Sequence, residues 1–251
     1  MQGEIMVITA NMLYRDTISF IRNQLIKIIF ISIIFSFFVV FFDSFLHSDK
    51  EIITTFIENK KKFSSIFEYI NSLTLTQKYT LLYVCVIKIF LFITNISLFV
   101  GVILSVIDLI SSHRSCTLIN LIKKIKPVFF QIFIQTLIIR LLINSSFAFF
   151  MLPSIFIAIL LSLSPIILFA KRIKLWHAFQ ESISVTWKNL WIIAPIILFS
   201  FLIKMIFLIF LKNFIGIEHD YIFSFLINFV NNLFYAIELI YLSRLYMLLP
   251  K

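Results

Sequence analysis

Long apolar stretches alternate with short polar gaps along the whole chain. A hydrocarbon core about 30 Å thick requires roughly 20 apolar residues per spanning helix. Six stretches meet this length, and they lie near Leu25–Leu46, Leu81–Ile107, Val128–Phe147, Pro153–Ala170, Ile192–Leu211 and Tyr221–Met247. The pattern predicts an all-α, polytopic transmembrane helix bundle of about six spans, with amphipathic interfacial helices between them. Because the gaps are too short for a folded soluble domain, we expect residues 1–251 to form a single membrane domain.

The composition supports a membrane location and limits the partners. Hydrophobic residues make up 61% of the chain and charged residues 14%. A soluble protein of this length could not bury so much apolar surface in one core. The net charge of +10 comes from bases that flank the apolar stretches, so we expect membrane lipids, rather than nucleic acid, as the partner. The chain has only 3 glycines, which excludes close helix crossings of the GxxxG kind and predicts interdigitation of large side chains.

The distribution of Lys and Arg between the gaps predicts the orientation. If the amino terminus is cytoplasmic, 12 of these residues fall in cytoplasmic gaps and 6 in outer gaps. Cytoplasmic gaps carry the excess of Lys and Arg in membrane proteins, so we expect both termini in the cytoplasm. The first stretch is too long for the apolar part of a signal peptide, and we expect it to remain as an anchor.

The polar gaps contain helical signals of their own. In the longest gap, residues 47–80, apolar side chains recur at helical spacing from Ile52 to Ile70. This spacing predicts a helix that lies on the outer membrane surface. Thr74 or Thr76 is a candidate N-cap for the second span.

Three similar segments precede the spans that start on the cytoplasmic side. Arg15–Leu25 reads RDTISFIRNQL, Gln180–Leu190 reads QESISVTWKNL, and a looser counterpart, LINLIKKIKPVF, precedes the third span. They suggest three units, each an amphipathic helix followed by a two-helix hairpin; chance similarity in a biased composition is the alternative. Pro165 lies inside the fourth span and should kink it. Pro195 is expected in the first turn of the fifth span, where no helical hydrogen bond is lost.

The last apolar stretch carries a polar face. Its members are Asn228, Asn231, Asn232, Tyr235 and Glu238. Polar groups inside a membrane face the bundle interior or a water-filled cavity. Two interpretations stay open: hydrogen bonding between helices plus one ion pair, and a path for a substrate or for protons. A pair between Glu238 and either Arg140 or Lys204 would require both side chains to extend along the bundle.

A second set of candidates lies between the fourth and fifth spans. Lys171, Arg172, Lys174 and Trp176 combine bases with an interfacial aromatic ring, as expected of contacts to anionic lipid. The chain has no HExxH, Walker or GxSxG motif, so the sequence predicts no metal, no cofactor and no enzymatic activity. Cys85 and Cys116 are expected near opposite sides of the membrane and therefore form no disulfide with each other.

Four segments, in this order, resemble a known family. They read ITANMLYRDT at 8–17, LPSIFIAILLSLSPIIL at 152–168, SVTWKNLWIIAP at 184–195 and LIYLSRLYML at 239–248. Together they resemble the YciC-type inner-membrane proteins of Gram-negative enteric bacteria over nearly the whole chain. The resemblance implies six spans in the inner membrane and supplies no activity. Members tend to begin just before the ITA motif, so we expect Met6 as an alternative start. They also tend to have Gly where this chain has Ser154, so we expect looser packing there.

Three functions fit these observations. The first is a non-enzymatic envelope protein that organises lipids or a partner membrane protein. The second is a small transporter or channel that uses the polar face of the last span. The third is a membrane module that serves a separate enzyme, because helix-plus-hairpin units resemble, at the level of the fold alone, the membrane portions attached to some glycerophosphodiesterases.

Overall fold

The computed structural model describes residues 10–45, 73–149, 151–215 and 220–249, and within these ranges the chain forms α-helices and no strand. The helices are α1 (Ala10–Phe45), α2 (Leu75–Ser111), α3 (Leu118–Ile125), α4 (Phe129–Phe149), α5 (Met151–Leu161), α6 (Ser164–Lys171), α7 (Leu175–Lys188), α8 (Leu190–Ile215) and α9 (Asp220–Leu248). In the described ranges, six stretches are long and apolar enough to cross a membrane, and α5 and α6 together supply the fourth. The predicted helical bundle of six spans is confirmed. The helix predicted between Ile52 and Ile70 lies outside the described residues.

A capping box starts α2. The Thr74 side chain accepts a hydrogen bond from the Gln77 backbone N–H at 3.4 Å, and the Gln77 side chain accepts one from the Thr74 backbone N–H at 3.0 Å. The reciprocal bonds satisfy two N–H groups that have no partner inside the helix. The N-cap prediction is therefore confirmed for Thr74.

Two prolines shape the fourth and fifth spans. The fourth span breaks between α5 and α6, and Pro165 lies in the first turn of α6, so the expected kink is a complete break. The expectation for Pro195 is wrong, because α8 begins at Leu190 and Pro195 lies inside it. A proline inside a helix lacks the N–H that would bond a carbonyl one turn earlier. The carbonyl left without this partner is that of Trp191, and the Tyr241 hydroxyl of α9 donates to the adjacent Ile192 carbonyl at 3.3 Å.

The three similar segments do not form three similar helices. The segment Gln180–Leu190 lies mostly in α7 and LINLIKKIKPVF mostly in α3, whereas residues 15–25 continue without a break into the first span as part of α1. Pro127 follows α3, and α7 ends at Lys188, where the side chain of the C-cap residue Asn189 donates to the Val185 carbonyl at 2.9 Å. The first segment contains neither proline nor glycine. Nothing in it interrupts the helix, so the prediction of a separate helix there is wrong.

The last helix lies at the centre of the packing. It makes its most extensive contact with α1 and further contacts with α2, α6 and α8. The buried core forms where the second halves of α2 and α9 meet α6 and the first half of α1. Its largest fully buried side chains include Leu13, Phe99, Ile103, Ile107, Leu163, Ile167, Leu168, Leu239 and Ile240.

Three small residues lie buried on one face of α2. In α2, Ser97, Gly101 and Ser105 lie four residues apart on one face, and all three are buried. A Cβ atom at Gly101 would lie 3.2 Å from Cγ2 of Ile125, so α3 packs tightly against α2 at this point. One of the few glycines therefore does lie at a close contact between two helices, and the two serines on the same face are also small side chains.

Candidate functional site

A cavity of about 380 Å³ lies where four helices meet at one end of the bundle. Its walls come from the end of α2, from α3, from the end of α6 and from the end of α9. We call it the basic cavity, after its cationic lining. Its polar lining residues are Asp108, Lys124, Lys171, Arg172, Ser243 and Tyr246. Apolar side chains, among them Leu104, Ile107 and Ile166, complete the lining and are almost fully buried.

Two lysines of the basic cavity are held by carboxylates from neighbouring helices. The Lys124 ammonium donates to the Asp108 carboxylate, which joins α3 to α2. The Lys171 Nζ lies 2.5 Å from Oε1 of Glu181 on α7, and the Tyr246 hydroxyl donates to the same oxygen at 3.1 Å. Because an ammonium group has three donors, each lysine retains N–H groups beyond its ion pair. The ion pairs therefore hold the two lysines in place and leave some of their N–H donors available for a ligand.

Arg172 occupies a strained position between α6 and α7. It is the C-cap of α6, and its φ of 53° and ψ of 37° lie in the left-handed region. A residue with a Cβ atom pays roughly 1–2 kcal/mol for this conformation. Strained residues of this kind concentrate at functional sites. The Arg172 side chain lines the basic cavity, and no ion pair to it occurs among the described residues.

Ser243 adds a hydroxyl group to the wall of the basic cavity. The residue is 2% exposed, and its Oγ has no hydrogen-bond partner among the described residues. A buried hydroxyl without a partner costs about 1–3 kcal/mol. The combination of cations, an unpartnered hydroxyl and an apolar lining is suited to binding an anionic group attached to an apolar body.

The structure divides the four residues proposed to contact anionic lipid. Lys171 and Arg172 lie together in the basic cavity. Lys174 is exposed at the start of α7. Trp176 lines a separate apolar groove of about 300 Å³, where α7 packs beside α4 and α5. These four residues are close in sequence, but they belong to two separate surfaces, one cationic and one apolar.

The asparagines of the polar face of α9 make different contacts. The Asn228 side-chain amide donates to the Ser224 carbonyl of the same helix at 2.8 Å. The Asn232 amide donates to Oγ of Ser36 on α1 at 3.0 Å. Asn231 is exposed at a groove between α8 and α9. These contacts favour hydrogen bonding within and between helices over a single continuous polar path.

The acidic end of the polar face forms an ion pair. Oε2 of Glu238 lies 3.9 Å from Nζ of Lys204 on α8, so Lys204 is the base within ion-pair distance of this carboxylate. The same Nζ lies 5.8 Å from the centre of the Tyr235 ring, and Arg140 of α4 interacts electrostatically with Glu238. The Arg140 guanidinium itself lies 5.7 Å from the centre of the Phe92 ring. The buried Glu238 carboxylate therefore has its ion-pair partner on a neighbouring helix.

Reasoning from the sequence missed several residues of the basic cavity. Asp108 and Lys124 are 16 positions apart, and Glu181 and Tyr246 are 65 apart, so local patterns do not bring them together. The sequence did give one indication of a polar site, because Asp108 is an acidic residue only three positions before the end of a long apolar helix. Ser243 carried no such signal.

Metal and thiol chemistry have little support in the described part of the chain. Within it, no group of three or more His, Cys, Asp or Glu side chains could hold a metal ion. Cys85 and Cys116 are both free thiols, as expected. The basic cavity, with its cationic and polar lining, is therefore the strongest candidate for a functional site in the described part of the chain.

Comparisons with known proteins agree with the membrane bundle. A family model described as an uncharacterised protein family (UPF0259) matches residues 6–248. A UPF0259 membrane protein of Buchnera aphidicola subsp. Schizaphis graminum is 35% identical over 248 residues, which cover 97% of this chain and 98% of the relative. A UPF0259 membrane protein of Yersinia pestis (strain Pestoides F) is 31% identical over 249 residues, 97% of each chain. No solved structure matches the chain. The chain therefore belongs to UPF0259, an uncharacterised protein family of multi-span membrane proteins.

Proposed function

We propose that this chain is a non-enzymatic protein of the bacterial inner membrane that binds and organises anionic lipids on the cytoplasmic side. The observation that carries the proposal is the exposed apolar surface of the short helix α3, which lies beside its own lysines. Leu118, Ile119 and Ile122 are all more than 60% exposed, and Lys123 and Lys124 occupy the last turn. Such helices lie in the membrane interface, where they combine apolar insertion with attraction to anionic headgroups.

The region around α7 supports the same proposal. Trp176, Trp187 and Trp191 are all more than 60% exposed, and Lys174 and Lys188 bracket the helix. Tryptophan is enriched at membrane–water interfaces, where its ring is partly apolar and its N–H is hydrated. Two short helices between consecutive spans therefore present the same combination of apolar and cationic groups to the interface.

The cellular location and orientation belong to the proposal. Helical spans favour the inner membrane, since outer-membrane proteins are typically closed β-barrels. The excess of Lys and Arg in the gaps on one side favours cytoplasmic termini. Cys116 provides a test in a Cys85→Ser background: an impermeant maleimide should label it in inverted membrane vesicles and not in intact spheroplasts. Labelling in spheroplasts would contradict the orientation.

A lipid-retention experiment tests the function. The full-length protein, purified in neutral detergent from membranes of mixed composition, should retain phosphatidylglycerol in preference to phosphatidylcholine. Neutralising three exposed lysines, as Lys123→Gln/Lys174→Gln/Lys188→Gln, should reduce the enrichment about threefold or more, because each base near an anionic surface contributes up to about 1 kcal/mol. The matched control Lys60→Gln/Lys61→Gln/Lys62→Gln removes equal charge from the gap expected outside. Equal enrichment in wild type and the first variant would contradict the proposal.

The second candidate is transport along the polar face of α9. The observation in its favour is the Lys204–Glu238 pair, because ionisable groups inside a membrane bundle often mark ion or substrate paths. Glu238→Gln removes the charge and keeps the shape of the side chain. If the pair carries transport, this variant should fold and insert normally while reproducing the phenotype of a gene deletion. A folded variant that restores full growth to the deletion strain would reject Glu238 as a transport residue.

A further inference from the structure

We propose that the basic cavity is a specific binding site for the phosphate group of a glycerophospholipid. The inference rests on the proposed function and deepens it, because it assigns one lipid molecule to one site rather than many lipids to a surface. The site is built by α2, α3, α6 and α9, and it is separate from the exposed faces of α3 and α7 that carry the general lipid association.

The charges of the site match a phosphodiester. Lys124, Lys171 and Arg172 supply three positive charges, and Asp108 and Glu181 supply two negative ones. The excess is one positive charge, which a phosphodiester with its single negative charge would neutralise. Basic pockets between the helices at the cytoplasmic side of a membrane are the usual sites for phosphorylated lipid headgroups.

Arg172 is the principal cation of the proposed site. Its guanidinium has a rigid fork of donors that fits two oxygens of a phosphate group, and no described carboxylate occupies that fork. Lys171 and Lys124 contribute as point charges, since each keeps donors beyond its own ion pair. Its left-handed backbone ends α6 and places Arg172 in the wall of the cavity.

The Ser243 hydroxyl completes the set of donors. It is buried in the cavity wall without a partner, and rotation about its Cα–Cβ bond would let it donate to a phosphate oxygen in the cavity. Apolar residues such as Leu104, Phe169 and Met247 supply the surface that the glycerol ester region of a lipid would contact. Free inorganic phosphate would leave that surface uncovered, which is why we assign the site to a lipid. The volume of about 380 Å³ is within the range of small-molecule sites.

Native mass spectrometry of the full-length protein tests the assignment. We expect a 1:1 complex with phosphatidylglycerol that survives detergent removal, and little complex with phosphatidylcholine, whose headgroup is neutral overall. Arg172→Asn removes the cation but keeps a residue that tolerates the left-handed region, so the fold should be retained. This variant should weaken the 1:1 complex roughly tenfold, the loss expected of a charge-assisted hydrogen-bonded pair.

Further variants separate charge, hydrogen bonding and general electrostatics. Arg172→Lys keeps the charge and should recover part of the affinity, and Ser243→Ala should weaken the complex severalfold. The control Arg22→Asn removes one exposed cation from α1, outside the basic cavity, and should leave the 1:1 complex unchanged. Circular dichroism and the unfolding temperature check that each variant is folded. Wild-type affinity in both Arg172→Asn and Ser243→Ala would overturn the site.

A soluble probe identifies the source of the phosphate. Glycerol 3-phosphate should bind at least tenfold more weakly than phosphatidylglycerol, because it lacks the acyl chains that reach the apolar lining. Equal binding of the two would overturn the assignment to a lipid. If the cavity variants bind phosphatidylglycerol normally while the lysine variants of α3 and α7 lose lipid enrichment, the site fails and the proposed function stands. If wild type shows no preference for phosphatidylglycerol in either experiment, both fail.

Discussion

Both parts of α2 are rich in large apolar residues, but their surroundings differ. In the first part, Leu75–Phe92, large apolar side chains such as Val86 and Ile89 are more than half exposed. In the second part, Ile93–Ser111, residues such as Phe99 and Ile103 are 1% exposed. We call them the lipid-facing part and the packed part. Lipid tails are as apolar as leucine, so hydropathy cannot distinguish a residue that faces lipid from one that faces another helix. Hydropathy therefore identifies the membrane spans, whereas the burial of each side chain depends on the helices around it.

The largest effect is expected from replacing isoleucine by alanine once in each part of α2. Ile103→Ala should destabilise the protein by about 2–4 kcal/mol, because it removes buried contacts and leaves a cavity. Ile89→Ala is the matched control, and its cost should be under about 1 kcal/mol because mobile lipid refills the space. Unfolding in detergent, followed by circular dichroism, measures both values. Equal destabilisation would show that the two parts do not differ in packing.

Gly101 tests how tightly the packed part meets α3. Gly101→Val should destabilise by about 1–3 kcal/mol, because the added methyl groups must displace Ile125. For Gly101→Ala, the contact at 3.2 Å opposes a helix-propensity gain of about 0.5–1 kcal/mol, so the net change should be smaller than for valine. Hydrogen exchange of α3 should accelerate in the valine variant. Unchanged exchange and stability in both variants would contradict the close approach.

The smallest expected effect concerns a polar contact rather than apolar packing. The bond from Asn232 to Ser36 joins α9 to α1. A double-mutant cycle with Asn232→Ala and Ser36→Ala should give a coupling energy of about 0.6 kcal/mol, the typical value for such bonds in membranes. Detergent unfolding of the two single variants and the double variant provides the measurement. A coupling above about 2 kcal/mol would show that polar contacts, and not packing, dominate the association of these helices.

Much of the fold follows from local physical rules. The spans follow from the length of apolar stretches, and the start of α2 follows from Thr74, whose side chain has a specific partner three residues later. The shared face of the α9 polar residues follows from helical periodicity, and Glu238 does find a base on a neighbouring helix. Each of these features depends on residues close together in sequence or on the regular geometry of one helix.

The candidate site could not be predicted in the same way. The basic cavity draws on helices that are distant in sequence, so its shape depends on how whole helices pack. Arg172 was a candidate from its charge, but its left-handed backbone appears only once α6 ends and α7 turns back beside it. Nothing in the local sequence shows that Ser97 and Ser105 are fully buried, because their burial depends on which helices pack around α2. Packing, rather than composition, gives these residues their roles.

The extensive contact between α1 and α9 has a consequence for biogenesis. A ribosome makes α1 before α9, so α1 enters the bilayer before its principal neighbour exists. During that interval Asp16 lacks Arg244, which lies 3.6 Å away in the finished protein, and Ser36 lacks Asn232. Insertion of α9 is therefore the step that covers this face of α1. Nascent chains arrested before that step still expose the face of α1 that α9 covers.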